Sequence, residues 1–429
     1  MTVQSMTRRG LALLAMLLLT TAMAAQARSA ADDPWIATWA TASKAPTLFD
    51  RPLPTLDDVT LRQVVRVSAG GRWVRVWLTN EAGTKPLRVG AATLGLRAAG
   101  SEVRAGSGRR LTFGGASAIA IAPGARVVSD PVRLNVADLS ELVISTWLPD
   151  DVSGSGSPVT YHVRSLQTSY LADGDQTPRT SLVAPRTEAS WFFIAGVDVF
   201  DGRRTPVIAA FGDSITDGDQ RGFPDEPVDL NARYTDFLAR RLLAPGGGRR
   251  AAVVNLGLSG NQVTATFIGD NAQARLSRDV LAQTGVTHLL VTEGINDIGL
   301  PGLLSAIGLP TPAISAADII AGLEQVAARA HARGLIVIGG TLSPSGGSPL
   351  PGYSGPEVEA KRQAVNAWIR TGGAFDAVVD FDAVLRDPAN PAVMRADLTA
   401  DGLHPNSEGY RRMAAAAHAV LRRHLHDGD

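Results

Sequence analysis

At 429 residues the chain is long for one hydrophobic core and long enough for two domains. Its 41 basic and 41 acidic side chains balance, which argues against nucleic acid or an anionic membrane as the main partner. The absence of cysteine excludes disulfides, thiolate chemistry and an anchor built on a lipidated cysteine. Hydrophobic residues make up 45% of the chain, which is enough for a core without covalent cross-links.

The N-terminus has the pattern of a signal peptide over residues 1–27. Arg8 and Arg9 precede a nearly uninterrupted apolar run, and Ala25-Gln26-Ala27 has the small-x-small form of a cleavage site. The apolar run is too short to favour a transmembrane span, so no stable membrane anchor is expected. Residues 7–11 also resemble part of a twin-arginine export signal. We therefore expect a secreted or periplasmic protein, exported by a route that the sequence leaves open.

The segment 34–200 alternates apolar and polar residues with a period of two, which is typical of β-strands. In the run 72–78, for example, the aliphatic residues share one face, whereas Trp73 and Trp77 share the other. Turns rich in Gly and Pro separate several such runs. We predict a β-rich domain built as a sandwich or a jelly-roll-like pair of sheets. Trp73 and Trp77 could stack on a sugar ring, although packing in the core or between domains is favoured.

The period changes after a linker predicted at residues 201–206. Apolar runs of the kind buried on both faces of a sheet follow at 207–211, 252–256, 287–292, 335–339 and 377–381. Helical patterns lie between and after them, one starting with a capping box at Ser315 and the last capped by Asn406 or Ser407. This alternation over 207–425 predicts a parallel sheet covered by helices on both faces.

Residues that could take part in acyl transfer follow the carboxyl ends of these strands. Ser214 follows the first strand, Gly260 the second and Asn296 the third, while Asp401 and His404 come after the fifth and before the final helix. Ligands of such sheets bind beyond the carboxyl ends of the strands. Folding alone would therefore gather these residues at one edge of the sheet.

These residues suit one reaction. His404 could accept the proton of Ser214 and pass it to a leaving alcohol, while Asp401 holds the imidazole tautomer. The backbone N–H groups of Ser214 and Gly260 and the side-chain amide of Asn296 could donate to the oxyanion of a tetrahedral intermediate. Asn296 could instead only cap a helix. Neither a cofactor nor a metal is expected.

The motifs around these residues resemble the four blocks of the SGNH/GDSL hydrolase family, in the order of the family. The blocks, within residues 205–425, are Gly212-Asp213-Ser214, Gly260, Gly294-Ile295-Asn296-Asp297 and Asp401-Gly402-Leu403-His404. The resemblance implies a flavodoxin-like three-layer α/β/α sandwich and a metal-independent esterase or lipase-type reaction. It makes Ser214 the nucleophile, His404 the base and Asp401 its orienting acid, with Ser214, Gly260 and Asn296 as the oxyanion hole. The first block departs from the family pattern because Ile215 stands in place of leucine.

The stretch from Trp35 to Trp39 and the β-rich half are similar to secreted bacterial members related to arylesterases and carbohydrate esterases. We therefore expect a secreted carboxylic-ester hydrolase that forms an acyl-enzyme, acting on short acyl groups such as acetyl esters of carbohydrates, in small molecules or polysaccharides. A broad arylesterase or lipase-type acylhydrolase is one alternative. A carbohydrate-binding protein without activity is an alternative of another class. The sequence does not indicate the oligomeric state.

Other conspicuous residues have plainer interpretations. Asp297 is expected to brace a loop or cap a helix. Asp217-Gly218-Asp219 and Asp225-Glu226 could hold calcium, but they lack the spacing of a known calcium loop, so a solvated loop is favoured. The apolar stretch 300–309 could line an acyl pocket, form a lid or pack as a helix. The remaining histidines, His162 among them, are interpreted as structural or solvated.

Overall fold

The structure, a computed structural model, describes residues 34–220 and 228–425. The predicted signal peptide at 1–27, the pair Asp225-Glu226 and His426 lie outside the described residues. Over these two described ranges, no helix combines the length and the apolar character that a membrane span needs.

Strands dominate the first part of the chain, which we call the β-rich region (residues 34–200). Its strands are β1 (Trp35–Ala40), β2 (Val59–Arg66), β3 (Gly71–Thr79), β4 (Leu87–Val89), β5 (Ala91–Leu96), β6 (Arg109–Arg110), β7 (Ile119–Ile121), β8 (Arg126–Val128), β9 (Val132–Val136), β10 (Glu141–Leu148), β11 (Tyr161–His162), β12 (Ser169–Asp173), β13 (Arg186–Glu188), β14 (Trp191–Phe192) and β15 (Ile194–Phe200). A short 3-10 turn at Ser153–Ser155 interrupts them.

Two antiparallel sheets make up most of the β-rich region. One has the order β1-β15-β3-β8, with β9 also paired to β3, and the other has the order β13-β12-β2-β10-β5-β6. The alternating residues Val74, Val76 and Leu78 of β3 are fully buried, and they share one apolar cluster with Leu61 and Val65 of β2. The β-rich N-terminal part predicted from the two-residue period is confirmed.

Strands and helices alternate in the second part, the α/β region (residues 207–425). Its elements are β16 (Val207–Gly212), α1 (Ser214–Asp217), α2 (Tyr234–Leu243), β17 (Ala252–Gly257), α3 (Ala272–Leu276), β18 (Val286–Thr292), α4 (Ile295–Ala306), α5 (Ala316–His331), β19 (Ile336–Gly340), α6 (Pro356–Thr371), β20 (Ala377–Val379), α7 (Phe381–Leu385) and α8 (Ser407–Leu421). A π-helical turn at Ser277–Leu281 follows α3, and a 3-10 turn at Ala396–Leu398 precedes α8.

The five strands of the α/β region form one parallel sheet with the order β17-β16-β18-β19-β20. This is the order of a flavodoxin-like sheet, which places the topological switch between β16 and β18. Ile208 and Ala210 of β16 pack with α2, α7 and α8 on one face. Val207, Ala209 and Phe211 pack in the cluster that holds α3, α5 and α6 on the other face. The three-layer α/β/α prediction is confirmed.

The helix caps read from the sequence are present. The Ser315 hydroxyl accepts from the Asp318 N–H at 3.1 Å, and the Asp318 carboxylate accepts from the Ser315 N–H at 3.1 Å. Of the two candidate caps for α8, Asn406 is the one used, because its Oδ1 accepts from the N–H groups of Glu408 and Gly409, both at 3.0 Å.

The two regions are joined by more than the segment 201–206. Strand β1 packs beside β17. The Val253 N–H donates to the Ser68 hydroxyl at 3.0 Å, and Arg126 forms an ion pair with the fully buried Asp279 at 3.0 Å. Because these contacts are buried or partly buried, the β-rich region holds a fixed position against the sheet that carries the candidate site.

Candidate active site

A tight turn at the end of β16 delivers Ser214 to the carboxyl edge of the parallel sheet. Ser214 is the first residue of α1, and the Asp213 carboxylate caps this helix by accepting from the Ile215 N–H at 2.9 Å. A Cβ at Gly212 would lie 2.2 Å from Thr216 Oγ1 and 2.5 Å from the Thr292 carbonyl oxygen. Only glycine therefore fits where the strand turns into the helix.

His404 and Asp401 complete a hydrogen-bonded chain that starts at Ser214. The Ser214 Oγ lies 2.9 Å from His404 Nε2, and His404 Nδ1 lies 2.7 Å from Asp401 Oδ2. Because a carboxylate can only accept, the Nδ1 carries the proton and the Nε2 faces the serine hydroxyl as an acceptor. The other carboxylate oxygen, Oδ1, accepts from the backbone N–H groups of His404 at 2.8 Å and Leu403 at 3.0 Å.

The loop geometry keeps the Asp401 carboxylate ionised. Burial would raise the pKa of Asp401, but the hydrogen bond and charge of His404, together with the backbone N–H groups of His404 and Leu403, lower this pKa to about 2. Gly402 between them has φ +71°, and a Cβ there would lie 2.3 Å from the Gly347 carbonyl oxygen. The turn from acid to base therefore requires glycine at this position.

Gly260 and Asn296, the predicted oxyanion donors, line the same cleft as Ser214 and His404. Gly260 has φ +80°, and a Cβ there would lie 2.5 Å from Ile268 Cδ1. Within the described part of the chain, the backbone N–H groups of Ser214 and Gly260 donate no hydrogen bond. Both groups can therefore donate to a substrate.

The amide of Asn296 is held in one orientation by two contacts. Its Nδ2 donates to the Asn261 carbonyl oxygen at 2.9 Å, and its Oδ1 accepts from the Tyr353 hydroxyl at 2.6 Å. An amide nitrogen has two N–H donors, so one remains for a substrate oxygen. Nothing in the sequence pattern singled out Tyr353, because it lies on a loop after β19, 57 positions from Asn296.

Asp297 braces the loop that follows Gly260. Its carboxylate accepts from the N–H groups of Val263 at 2.7 Å and Thr264 at 2.9 Å, and from the Thr264 hydroxyl at 2.7 Å. The prediction of a structural role for Asp297 is confirmed. Its contacts fasten the loop that follows Gly260 to the helix that carries Asn296.

A fully buried arginine that the sequence pattern did not single out, Arg275, lies beneath the site. Arg275 donates to the carbonyl oxygens of Gly212 and Leu256 at 2.8 Å each, so it ties the ends of β16 and β17 together. It also pairs with the buried Glu293 at 3.1 Å. Burial raises the pKa of Asp213 to about 6, and burial and the charge of Asp213 raise the pKa of Glu293 well above its ordinary value.

Both regions of the chain line a cleft of about 1700 Å³, a volume that includes space open to solvent. The α/β region contributes an apolar wall that includes Leu300, Leu304 and Ile307. The β-rich region contributes residues from the segments 44–54 and 161–167. The apolar stretch 300–309 is thus helical as far as Ala306, at the end of α4, and also lines the pocket.

The interpretation of Asp217-Gly218-Asp219 as a solvated loop is wrong. Both carboxylates are buried, Asp217 at 3.0 Å from His162 Nε2 and Asp219 paired with Arg164 at 3.1 Å. Both partners come from the β-rich region, so the acids are desolvated by a surface that lies far away in sequence. His162 is structural, as expected, and its Nδ1 lies 2.7 Å from the Ala42 carbonyl oxygen.

The two tryptophans of β3 differ in their surroundings. The Trp77 indole donates to the Asp198 carboxylate at 2.9 Å, and the Arg75 guanidinium lies 5.8 Å from its ring centroid. This indole therefore packs within its own sheet, as the favoured interpretation expected. Trp73 is exposed at the surface, so the packing in the core or between domains that was favoured for this residue is wrong.

The parallel sheet and the convergence of a serine, a histidine and a family motif define the class of protein, an ester-hydrolysing serine hydrolase. Residues 210–412 match the model of the GDSL-like lipase/acylhydrolase family. This match spans just under half of the chain and supports membership of the α/β region in the family. No curated protein matches it.

Solved structures of similar fold include esterases and lipolytic proteins. The aryl esterase of M. smegmatis is 18% identical with a TM-score of 0.41, and the match covers 52% of this chain and 100% of that one. A carbohydrate acetylesterase from Sinorhizobium meliloti is 17% identical with a TM-score of 0.37, covering 50% and 97%. A putative lipolytic protein of the G-D-S-L family from Desulfitobacterium hafniense DCB-2 is 20% identical with a TM-score of 0.35, covering 50% and 98%. Identities and TM-scores this low say nothing about the substrate of this chain.

Proposed function

We propose that the chain hydrolyses carboxylic esters through an acyl-enzyme, with Ser214 as nucleophile, His404 as base and Asp401 as its orienting acid. The observation that carries the proposal is the hydrogen-bonded chain from Ser214 Oγ through the imidazole to the carboxylate, with links of 2.9 and 2.7 Å. Ser214 and His404 are 190 positions apart in sequence. Geometry of this kind makes a serine hydroxyl nucleophilic at neutral pH.

The reaction follows from which atoms donate and which accept. His404 Nε2 takes the hydroxyl proton as Ser214 Oγ attacks the ester carbonyl carbon, and the carbonyl oxygen becomes an oxyanion. The oxyanion accepts from the N–H groups of Ser214 and Gly260 and from the free N–H of Asn296. The imidazolium then protonates the leaving alcohol, which leaves the acyl group on the serine. Water deprotonated by the same imidazole attacks the acyl-enzyme and releases the acid.

The apolar wall of the cleft supports acyl groups larger than acetyl. The methyl of an acetyl group would cover little of this wall, whereas a longer or aromatic acyl group would also remove the exposed Ile307 from water. This lining favours the broad acylhydrolase over the acetyl esterase of carbohydrates that the sequence suggested. Export to the periplasm or medium remains a proposal from the pattern of residues 1–27.

Hydrolysis of p-nitrophenyl esters from acetyl to octanoyl, measured beside acetate release from a panel of acetylated plant polysaccharides, tests the proposal. We expect kcat/KM to rise beyond the acetyl ester. A preference for acetylated polysaccharide would instead support an esterase that acts on acetyl esters of carbohydrates. Absence of any hydrolysis, with retained binding to polysaccharide, would favour the inactive binding protein.

Asn296→Ala is expected to lower kcat by about 10²–10³-fold, because one of the three oxyanion donors is lost. KM should change little, whereas the unfolding temperature should fall because the Asn261 carbonyl oxygen and the Tyr353 hydroxyl lose their partner. Steady-state kinetics and thermal unfolding check both. Asn390→Ala, which alters an exposed asparagine outside the lining of the cleft, is the matched control. A near-normal kcat for the Asn296 variant would remove this amide from the oxyanion hole.

Tyr353→Phe is expected to lower kcat by about fivefold, the factor that corresponds to a hydrogen bond of about 1 kcal/mol. The tyrosine acts through Asn296, whose amide loses its fixed orientation when the hydroxyl is removed. In the Asn296→Ala background the same change should therefore have no further effect on kcat. Additive losses in the double variant would contradict this positioning role.

A further inference from the structure

The proposed reaction divides the cleft into an alcohol side and an acyl side. His404 must reach the leaving oxygen to protonate it, so the alcohol lies on the side of this imidazole. The carbonyl oxygen lies between Gly260 and Asn296. The acyl chain therefore extends along the wall of the cleft that starts at Gly260 and Asn296.

Apolar side chains continue that wall from both donors. Ile268 packs directly on Gly260, since a Cβ at this glycine would meet its Cδ1 at 2.5 Å. Phe267 precedes Ile268 and lines the cleft as well. On the other flank Leu300 follows Asn296 by one turn of α4 and faces the same space. A wall of this composition binds a hydrocarbon or aromatic acyl group.

Phe49 of the β-rich region extends the wall across the boundary between the two regions. Its ring centroid lies 5.4 Å from that of Phe267, with the planes tilted by 49°. Phe49 lines the cleft and is 47% exposed, so about half of its ring is available to a ligand. An aromatic pair at this separation offers a continuous apolar surface.

The turn that presents Phe49 is held by buried polar contacts. Lys44 forms an ion pair with Asp50, and the Asp50 carboxylate also accepts from the Thr47 N–H at 2.5 Å and the Thr47 hydroxyl at 2.9 Å. Lys44 lies 5.0 Å from the ring centroid of Tyr161. Lys44, and through it Asp50, is thereby fastened to the strand that carries Tyr161, so the turn that presents the phenyl ring is held in place.

We infer that Phe49 sets the acyl-chain preference of the enzyme, and hence that the β-rich region forms part of the substrate site. The inference rests on the proposed function and deepens it. The substrates are esters of long aliphatic acids or of aromatic acids.

The test compares p-nitrophenyl acetate and octanoate, which share one leaving group, in wild type and Phe49→Ala. We expect kcat/KM for octanoate to fall by about tenfold and that for acetate to stay within about twofold, as for a lost apolar contact in a pocket. Phe49→Leu, which restores part of the apolar surface, should regain most of the octanoate rate. Trp73→Ala, an exposed aromatic residue of the same region outside the cleft lining, should leave both rates unchanged.

Equal loss for both esters, or no loss for octanoate, would overturn the inference, as would a wild type that hydrolyses only the acetate. Thermal unfolding of each variant separates loss of fold from loss of preference, and Phe49→Leu carries the comparison if the alanine variant is unstable. A wild type inactive on every ester would instead mark the failure of the proposed function. An active wild type with an unaltered Phe49→Ala preference would mark the failure of this inference alone.

Discussion

Ser214→Ala is expected to lower kcat on p-nitrophenyl esters by about 10⁶-fold, to the level that binding and oxyanion donors alone provide. Without the hydroxyl no acyl-enzyme forms, and His404 has no proton to take from the protein. Burst-phase and steady-state release of p-nitrophenol measure both consequences. The initial burst should disappear together with the turnover.

Ser190→Ala is the matched control for this change, because Ser190 is another buried serine that lines the same cleft. It should keep kcat close to the wild-type value. Unchanged hydrolysis by the Ser214 variant would refute the assignment of the nucleophile. Loss of activity in both serine variants would point to damage of the cleft and not to loss of the nucleophile.

Asp401→Asn is expected to lower kcat by about 10⁴-fold with the fold intact. The Asn amide can donate to Nδ1, which would leave the imidazole proton on Nε2, where it faces Ser214 and prevents proton transfer. Steady-state kinetics over a range of pH check this expectation. Because the pKa of Asp401 is lowered to about 2, no titration of this carboxylate should appear in the wild-type activity profile above about pH 4.

Stability should respond to the same carboxylate at lower pH. A lowered folded-state pKa stabilises the fold above the unfolded pKa of about 3.9 and loses this contribution as the pH falls toward 2. The stability difference between wild type and Asp401→Asn should therefore shrink over this interval. Asp150→Asn, which alters an exposed aspartate of the β-rich region, serves as the control. An Asp401→Asn enzyme with normal turnover would exclude the orienting role.

The sequence predicted the features that depend on local pattern. Apolar runs located the five parallel strands, and Ser315 and Asn406 marked helix starts because caps need particular side chains at particular positions. Ser214, Gly260, Asn296, Asp401 and His404 could be named together because each follows a strand of one sheet. Their convergence is thus a consequence of topology.

Features that join the two regions could not be predicted. Asp217 and Asp219 were expected to be solvated, because charged residues beside glycine usually lie in solvated loops. They are buried because His162 and Arg164 of the β-rich region pack against them. Phe49 carried no signal, since an isolated phenylalanine in a Pro-rich stretch gives no period. Each of these contacts depends on how two separately patterned parts of the chain pack.

The contact between His162 and Asp217 bears on any attempt to shorten the enzyme. Asp217 ends the single helical turn that Ser214 begins, so a histidine of the β-rich region steadies the segment that carries the nucleophile. Cutting the chain at residues 201–206 would remove the partners of the buried Asp217 and Asp219 carboxylates. It would also expose the apolar side of β17 to solvent. The shortest active enzyme therefore includes both the β-rich region and the α/β region. The chain should not be truncated at the boundary between them.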